Sequence, residues 1–448
     1  MHSLIKGTNL SARVAPSLVG IIALVIVAGL AFSGEHSAYV RLLTFWGFEP
    51  FRFPFVDLGS SLAAWDCSRK GVDVIINDPC DVLAGGFAYS PFWMTIDWIP
   101  LGQPDRVWVG MVLAFSFLVS LSALPPAVST TETALRIAAV LSSMVAFAIE
   151  RANLDILIFL LVVGALPLLR RSAIAKAFGY GLVFLAGAIK YYPFILFGLV
   201  ARERLRLGIP IAVAFLVALA AFFSTYANQI HEGLPHIVRG LPFGDMFGAK
   251  NLLFGMFLVC RSQHVLPMDP VRFAMITTIL VPAIILWAMI RLWQASDIPA
   301  AMGRIDEARR IALLAGALLL SGCFFAGQSI AYRGIFLFLV IPGLSALAQD
   351  RDAGAIASAA RLAVTCIPIL MWTEAIRQWV HLAVTGSYLS PGFHIEAILQ
   401  PFNFLPWFGR ELAWWFLIAF LLTVLIGGLV AGPLGYARGF RRSLRPKV

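Results

Sequence analysis

Long apolar segments alternate with short polar ones along the whole chain. Most of the apolar segments approach the ~20 residues that an α-helix needs to cross a bilayer. Together with the charges between them, they predict about twelve crossings, at residues 17–32, 107–124, 135–149, 156–169, 178–200 (two crossings), 209–224, 271–289, 311–330, 335–347, 363–380 and 412–431. This pattern predicts an all-α polytopic membrane protein.

Two apolar segments depart from the simple pattern. Residues 178–200 could form one span, but that span would separate the basic residues at 170–171 from those at 202–206. We therefore predict two short helices that turn at Lys190-Tyr191-Tyr192-Pro193, because proline disfavours helix at the residue before it. Residues 252–259 are too short to cross, which predicts a re-entrant or interfacial segment.

Lysine and arginine are concentrated in short segments between the apolar runs. The positive-inside rule puts these segments and both termini in the cytoplasm. Residues 34–106 then form a first outer loop with interfacial helices, and residues 225–251 and 381–410 form further outer loops. We interpret residues 1–448 as a single membrane-embedded domain of a bacterial inner membrane, with its working face outside.

Composition excludes several other classes of protein. Hydrophobic residues make up 60% of the 448 residues and charged residues only 13%, whereas soluble domains carry about 25% charged residues. The net charge of +10 is distributed as a topology signal rather than as a patch for nucleic acid. The five cysteines lack Cys-x-x-Cys or Cys/His spacing, so we expect no metal centre and no cofactor.

The first outer loop is the longest polar interruption in the first half of the chain. It contains the pair Cys67 and Cys80, the run Tyr89-Ser90-Pro91, and a set of aspartates: Asp57, Asp66, Asp73, Asp78, Asp81, Asp97 and Asp105. The predicted topology brings further polar residues to the same side of the membrane, at tight turns: Glu150, Arg151, Asn153, Asp155, Lys190, Tyr332 and Arg333. Ionisable residues near membrane depth suggest a functional site, and Lys190 and Arg333 are suited to neutralising a lipid phosphate.

Several short motifs in these segments carry a resemblance to a known family. They are Phe53-Pro54-Phe55-Val56-Asp57, Gly71-Val72-Asp73, Asn77-Asp78-Pro79-Cys80-Asp81, Tyr89-Ser90-Pro91 and Lys190-Tyr191-Tyr192-Pro193. Because of the order of these motifs, and the one side of the membrane on which they are predicted to lie, the chain resembles the GT-C transferases that use polyprenyl-phosphate sugars. It is most similar to glycosyltransferase family 87, which includes the mannosyltransferases of phosphatidylinositol mannoside synthesis. The resemblance is local, and Tyr89-Ser90-Pro91 departs from the Asn-Tyr-Pro or Tyr-Pro of that family.

The resemblance implies an inverting transfer of a hexosyl residue, mannosyl by analogy, from a polyprenyl-phosphate sugar to a glycolipid or glycan acceptor. Asp57 would be the base. Fixed cations would stabilise the leaving phosphate, and we assign this role to Lys190, Arg333 and Arg151. The remaining residues assigned to substrate binding are Tyr89, Glu150, Asn153, Asp155, Tyr191 and Tyr332.

Each candidate also has a purely structural interpretation. Asp57 could cap an interfacial helix, and Asn153 or Asp155 could cap the helix that follows the turn. Glu150 and Arg151 could be an ion pair that closes a helical hairpin. Lys190 could extend to the membrane interface. Two other functions also fit a polytopic chain: a lipid-linked oligosaccharide ligase or polymerase, and a secondary transporter.

Cys67 and Cys80 are the two cysteines that fall in a loop. The topology places this loop outside the cytoplasm, where disulfides persist, and Gly71 and Pro79 allow the chain to turn back between them. We predict a Cys67–Cys80 disulfide, which in the chain-entropy model would stabilise the loop by roughly 3 kcal/mol. The alternative is two unpaired thiols.

Overall fold

The computed structural model of the chain describes residues 2–51, 53–75, 78–81, 87, 89–236, 240, 242–263, 269–389 and 400–430. Parts of all three predicted outer loops and the basic segment 431–448 lie outside these residues. The α-helices are α1 His2–Phe32, α2 His36–Phe45, α3 Val56–Ser68, α4 Arg106–Ser120, α5 Thr130–Val140, α6 Ser143–Arg151, α7 Leu154–Leu168, α8 Ala173–Ile189, α9 Leu205–Gly233, α10 Ala249–Gln263, α11 Pro270–Ala295, α12 Ile298–Arg304, α13 Glu307–Ala326, α14 Leu337–Gln349, α15 Ala355–Thr385 and α16 Pro401–Val430.

Short 3₁₀ helices and one pair of strands complete the described secondary structure. The 3₁₀ helices are Pro91–Ile96, Gln103–Asp105, Leu121–Ala123, Tyr192–Arg202, Leu234–His236, Ala331–Phe336 and Arg351–Ala353. Strand β1 (Met246–Phe247) pairs antiparallel with β2 (Ser329–Ile330), so that Met246 faces Ile330. This pairing fastens the second predicted outer loop to the turn that precedes Arg333.

The fold is that of an all-α, multi-pass membrane protein. Among the described residues, eight helices are long and apolar enough to cross a membrane, or nine if α5 and α6, which bend by 46°, form one span. The remaining predicted crossings correspond to three shorter helices, Leu154–Leu168, Ala173–Ile189 and Tyr192–Arg202. The predicted count of twelve would require all three to cross, and the structure does not confirm it.

Several predicted boundaries differ from the observed helices. The predicted single span 135–149 is broken, because Ser142 accepts a hydrogen bond from the Val145 backbone and starts α6 anew. The predicted loops 225–251 and 381–410 are shorter than expected, since α9 continues to Gly233 and α16 begins at Pro401. The short segment 252–259 lies within the 15-residue helix α10, which is not among the candidate spans.

Helices α13 and α14 form the centre of the bundle. Their apolar windows are 78% and 83% buried, against 17% for α9 at the periphery. The two helices pack closely because each presents a glycine to the other: a Cβ on Gly316 would lie 2.6 Å from Val340, and one on Gly343 would lie 2.6 Å from Leu313. Close packing of this kind drives helix association where lipid surrounds the protein.

The described part of the first loop folds into a small core of its own. Trp65 of α3 stacks on Trp93 with ring centroids 4.6 Å apart, and the Trp65 indole donates to the Trp93 carbonyl at 2.8 Å. A disulfide joins Cys67 and Cys80, the predicted pair, with their Cα atoms 5.9 Å apart. This core includes Ala152, Leu154 and Ile189 at the ends of α6, α7 and α8. The loop is therefore seated directly on the helix ends that carry the candidate site.

Candidate active site

Four separate turns of the chain meet beneath the first loop. They are the start of α3, the α6–α7 turn at residues 151–155, the end of α8 at Lys190, and the 3₁₀ helix Ala331–Phe336. Of the ten polar residues assigned to catalysis or binding, nine contact one another here in a continuous network, and Tyr191 is the exception. The network joins residues up to 179 positions apart in the sequence.

Two non-glycine residues with left-handed backbone conformations flank this network. Phe55 has φ 61° and caps α3, and Ala152 has φ 44° and ends α6. Each such residue costs of order 1–3 kcal/mol and persists only when its surroundings enforce it. The Phe55 amide donates to the Glu150 carbonyl at 2.7 Å, and its ring lies over Gly110, where a Cβ would come within 2.5 Å of it. The strained turns thus face each other and position the residues that follow them.

Asp57 lies in the first turn of α3, whose N-cap is Phe55. The alternative interpretation, in which Asp57 caps this helix, is therefore wrong. Its Oδ2 accepts from Asn153 Nδ2 at 2.6 Å, and its Oδ1 lies 3.5 Å from Arg151 Nη1. The side chain is 14% exposed. Burial raises the pKa of Asp57, while Arg151 and the Asn153 hydrogen bond act to lower it. The result is a carboxylate with a raised proton affinity and a narrow opening to its surroundings.

Asn153 is the centre of the network. In addition to Asp57, its Nδ2 lies 2.9 Å from Tyr332 Oη and 3.3 Å from Tyr89 Oη. Because an amide carries two hydrogens, these three acceptors share them. Its Oδ1 accepts from Lys190 Nζ at 2.5 Å and caps α7 through the Asp155 amide at 3.1 Å. The capping interpretation of Asn153 is therefore correct, and the same side chain also joins Asp57 to the cations.

Asp155 holds two cations side by side. Its Oδ2 lies 3.1 Å from Lys190 Nζ and 3.3 Å from Arg333 Nε, and its Oδ1 accepts from Tyr192 Oη at 2.6 Å. Lys190 is only 8% exposed, so it does not extend to the membrane interface as the alternative supposed. Its ammonium also faces the rings of Tyr89 and Tyr332, at 5.0 and 5.8 Å from their centroids.

Glu150 and Arg151 form the ion pair that the structural interpretation predicts, with Arg151 Nε 3.3 Å from Glu150 Oε2. The pair does not only close a hairpin, because Arg151 also reaches Asp57 and lies over the Phe51 ring, 3.9 Å from its centroid. Glu150 is nearly buried, at 5% exposure. Arg151 thus lies between two carboxylates of different burial.

Tyr191 is the one assigned residue that lies outside the network. Its ring packs near Phe222 and Phe223 of α9, with centroid separations of 6.4 and 6.3 Å. The next residue, Tyr192, donates to Asp155 and stacks under Arg333. The motif Tyr-Tyr-Pro marks the turn. The direction of each tyrosine ring depends on the residue at which α8 ends, and the motif does not specify where the helix ends.

The sequence interpretation also missed a loop that reaches the network from the second outer segment. The Asp245 carbonyl accepts from the Ala331 amide at 2.7 Å, beside the paired strands. Arg410 of α16 donates to the Gly244 carbonyl at 2.9 Å and pairs with Glu411 at 2.9 Å and with Glu374. Burial and the Glu374 charge raise the pKa of Asp245 to about 6, although Arg377, Arg410 and Arg151 act to lower it. No local motif marks Asp245, because its partners come from distant helices.

In the described part of the chain, Cys67, Asp78 and Cys80 are the one group of metal-ligating side chains close enough to share an ion. Both thiols of this group are bonded to each other, which removes them as ligands. The site around Asp57 contains instead fixed ammonium and guanidinium groups. Three carboxylates (Asp57, Glu150 and Asp155) face these groups, so the formal charges of the site balance, and Lys190 and Arg333 are the donors that converge on one carboxylate.

Comparisons with protein-family models, with curated proteins and with solved structures find no match to this chain. The network around Asp57 is therefore the basis for assigning a function.

Proposed function

We propose that the chain is a membrane-embedded glycosyltransferase that moves a hexosyl group, mannosyl by analogy, from a polyprenyl-phosphate donor to an acceptor with inversion. It would act in a bacterial inner membrane, with the site facing outward. One observation carries the proposal: Asn153 holds the Asp57 carboxylate on its amide nitrogen and the Lys190 ammonium on its amide oxygen. A base and a phosphate-binding cation are thereby held on opposite sides of one small side chain.

Asp57 is suited to be the base of such a reaction. An inverting displacement needs one carboxylate to take the proton of the acceptor hydroxyl while the leaving group departs from the opposite face. A base works best when its pKa is close to the operating pH, and burial moves the pKa of Asp57 upward from the ordinary range of aspartate. Its 14% exposure leaves room for an acceptor hydroxyl to approach.

Lys190 and Arg333 are suited to bind the donor phosphate. Both are held on Asp155 Oδ2, so their charges converge before any ligand arrives. Charge-assisted bonds to phosphate are among the stronger hydrogen bonds, and a guanidinium can bind in a bidentate manner. The polyprenyl phosphate would leave as an anion, which needs fixed positive charge rather than a general acid. Asp155 would then act as a positioning residue for the two cations.

Arg151 would link the two halves of the site. It lies 3.5 Å from Asp57 and 3.3 Å from Glu150, and it helps to keep Asp57 ionised. With Asp57, Asp155 and Glu150 against Arg151, Lys190 and Arg333, the formal charges of the site balance. A phosphate would therefore compete with Asp155 for its cations, which favours release of the product after transfer.

The test is the isosteric substitution Asp57→Asn in protein reconstituted into lipid. We expect release of polyprenyl phosphate from polyprenyl-phosphate mannose to slow by about 10²–10⁴-fold, the usual contribution of a general base. Binding of the donor should persist, because Lys190 and Arg333 are unchanged. The matched control is Asp73→Asn, an exposed aspartate of the same loop. Near-normal turnover in Asp57→Asn would exclude Asp57 as the base.

A further inference from the structure

A short loop of the second outer segment places a carboxylate, Asp245, next to the candidate active site. The Asp245 carbonyl accepts from the Ala331 amide at 2.7 Å, two residues before Arg333. On the other side, the Gly244 carbonyl accepts from Arg410 Nη1 at 2.9 Å. The backbone at Asp245 is therefore held from two directions, by the 3₁₀ helix that carries Arg333 and by α16.

Aromatic packing fixes the same loop against α16 on both sides of the carboxylate. Phe243 lies against Trp407 with ring centroids 4.9 Å apart, and Phe247 stacks on Trp414 at 4.6 Å. The Trp407 indole also donates to the Pro242 carbonyl at 2.9 Å. A carboxylate on a loop held in this way cannot move far to find a partner, so its immediate surroundings decide what it can bind.

The side chain of Asp245, unlike its backbone, has no direct partner among the residues that the structure describes. Its carboxylate is partly exposed and forms neither a hydrogen bond nor an ion pair with them. Burial and the Glu374 charge raise the pKa of this carboxyl group, and Arg377, Arg410 and Arg151 act against this from beyond ion-pair distance. A partly buried carboxylate without a donor has lost hydration that nothing replaces. Such a group suits a ligand that donates hydrogen bonds.

The neighbouring ion pairs are complete without Asp245. Arg377 pairs with Glu374 at 2.7 Å, and Arg410 pairs with Glu411 at 2.9 Å, so the formal charges of these four side chains balance. The formal charges of the candidate active site balance as well. Asp245 therefore adds a negative charge that neither group of ion pairs requires. The nearby arginines disfavour a metal ion at this carboxylate, whereas neutral hydroxyl groups can donate to it.

We propose that Asp245 binds one or two hydroxyl groups of the hexose that is transferred. This inference rests on the proposed glycosyl transfer. In an inverting displacement the sugar lies between the leaving group and the base that activates the acceptor. The Asp245 backbone bonds the 3₁₀ helix of Arg333, a proposed phosphate ligand. Its carboxyl group is influenced by the charge of Arg151, which reaches Asp57. Asp245 therefore flanks the space that the hexose would occupy.

The experiment is a double-mutant cycle between the protein and the sugar. The full chain in lipid nanodiscs is given polyprenyl-phosphate mannose and monodeoxy analogues, each lacking one hydroxyl of the hexose, and both Kd and turnover are measured. In the unsubstituted protein, loss of one or two particular hydroxyls should raise Kd by about 10- to 100-fold, the effect of losing a hydrogen bond to a charged group. Asp245→Ala should raise Kd for the parent donor by a similar factor. It should show no further rise for those analogues, because the two changes remove the same contact.

Two further variants separate sugar binding from folding of the loop. Met246→Leu changes the buried neighbour of Asp245 in β1 but keeps the carboxylate, so the pattern of losses across the analogues should stay as in the unsubstituted protein. Asp245→Asn removes the charge with almost no change in volume. It should weaken the coupling to the same hydroxyls, and it provides the test if Asp245→Ala does not fold.

Two results would overturn the inference. One is that every analogue loses the same factor with and without the carboxylate. The other is that turnover falls in both Asp245 variants while Kd stays unchanged for every donor, which would make Asp245 a positioning residue only. If the unsubstituted protein shows the coupling in Kd but transfers no sugar, the proposed reaction fails while the sugar-binding role of Asp245 stands.

Discussion

Replacing Asn153 with aspartate separates its role in the site from its role as a helix cap. The introduced side chain would keep an oxygen that can accept from the Asp155 amide, so α7 remains capped. The amide that donates to Asp57 at 2.6 Å would become a second carboxylate. Even if the two relaxed to ~4 Å, their repulsion at an effective dielectric of ~20 would be about 4 kcal/mol. That energy corresponds to a factor of about 10³ in an equilibrium constant for ionisation.

This repulsion raises the pKa of one carboxyl group of the pair, so below that pKa the two groups share one proton and Asp57 is ionised in only part of the molecules. Because ~4 kcal/mol corresponds to a factor of about 10³, turnover of Asn153→Asp should fall by up to about 10³-fold at pH values below the pKa of Asp57 in the unsubstituted protein, and by less at higher pH. Activity should recover as the pH rises, so the ascending limb of the pH profile moves to higher pH.

The assay is initial-rate release of polyprenyl phosphate across a pH series, together with an infrared search for the carbonyl stretch of a protonated carboxyl group. The control is Asn251→Asp, which also places a new carboxyl group in a buried position. Asn251 accepts a hydrogen bond from Gln328 rather than donating to Asp57. An unshifted pH profile with near-normal turnover in Asn153→Asp would refute the idea that the Asn153 amide maintains the ionised base.

Two further predictions concern the parts of the site on either side of Asn153. Lys190→Met should raise the Kd for polyprenyl-phosphate mannose by roughly 10- to 100-fold, because one or two charge-assisted bonds are lost. The control is Lys176→Met, which removes a lysine paired with Glu203 and should leave this Kd unchanged. An unchanged Kd in the Lys190 variant would show that Lys190 does not bind the phosphate. Gly110→Ala should displace the Phe55 ring, which a Cβ would approach to 2.5 Å, by roughly 1 Å and lower turnover about 10²-fold. Gly29→Ala, whose Cβ would meet nothing within 4 Å, should have no effect; equal turnover in the two glycine variants would show that the Phe55 turn does not position the base.

The sequence alone determined the class of the protein and the places where its helices end near the site. Apolar segments of bilayer length and basic residues between them predicted an all-α membrane protein. Proline and polar turn residues located the interruptions at Glu150–Asp155 and at Lys190. The pairing of Cys67 with Cys80 followed from their shared loop. These features could be predicted because each depends on a short stretch of chain and its immediate chemistry.

Only the tertiary structure decided how those turns meet and which side chains touch. The sequence predicted Asn153 as a helix cap or a binding residue, but its contact with Asp57 joins residues 96 positions apart, and its contact with Tyr332 joins residues 179 apart. The choice of Tyr192 over Tyr191 and the approach of Asp245 likewise have no local signal. They result from helix packing, where a rotation of a few tens of degrees or a shift of one residue exchanges the side chains that face each other. Hydropathy reports only whether a segment is apolar, so it contains no information about that rotation.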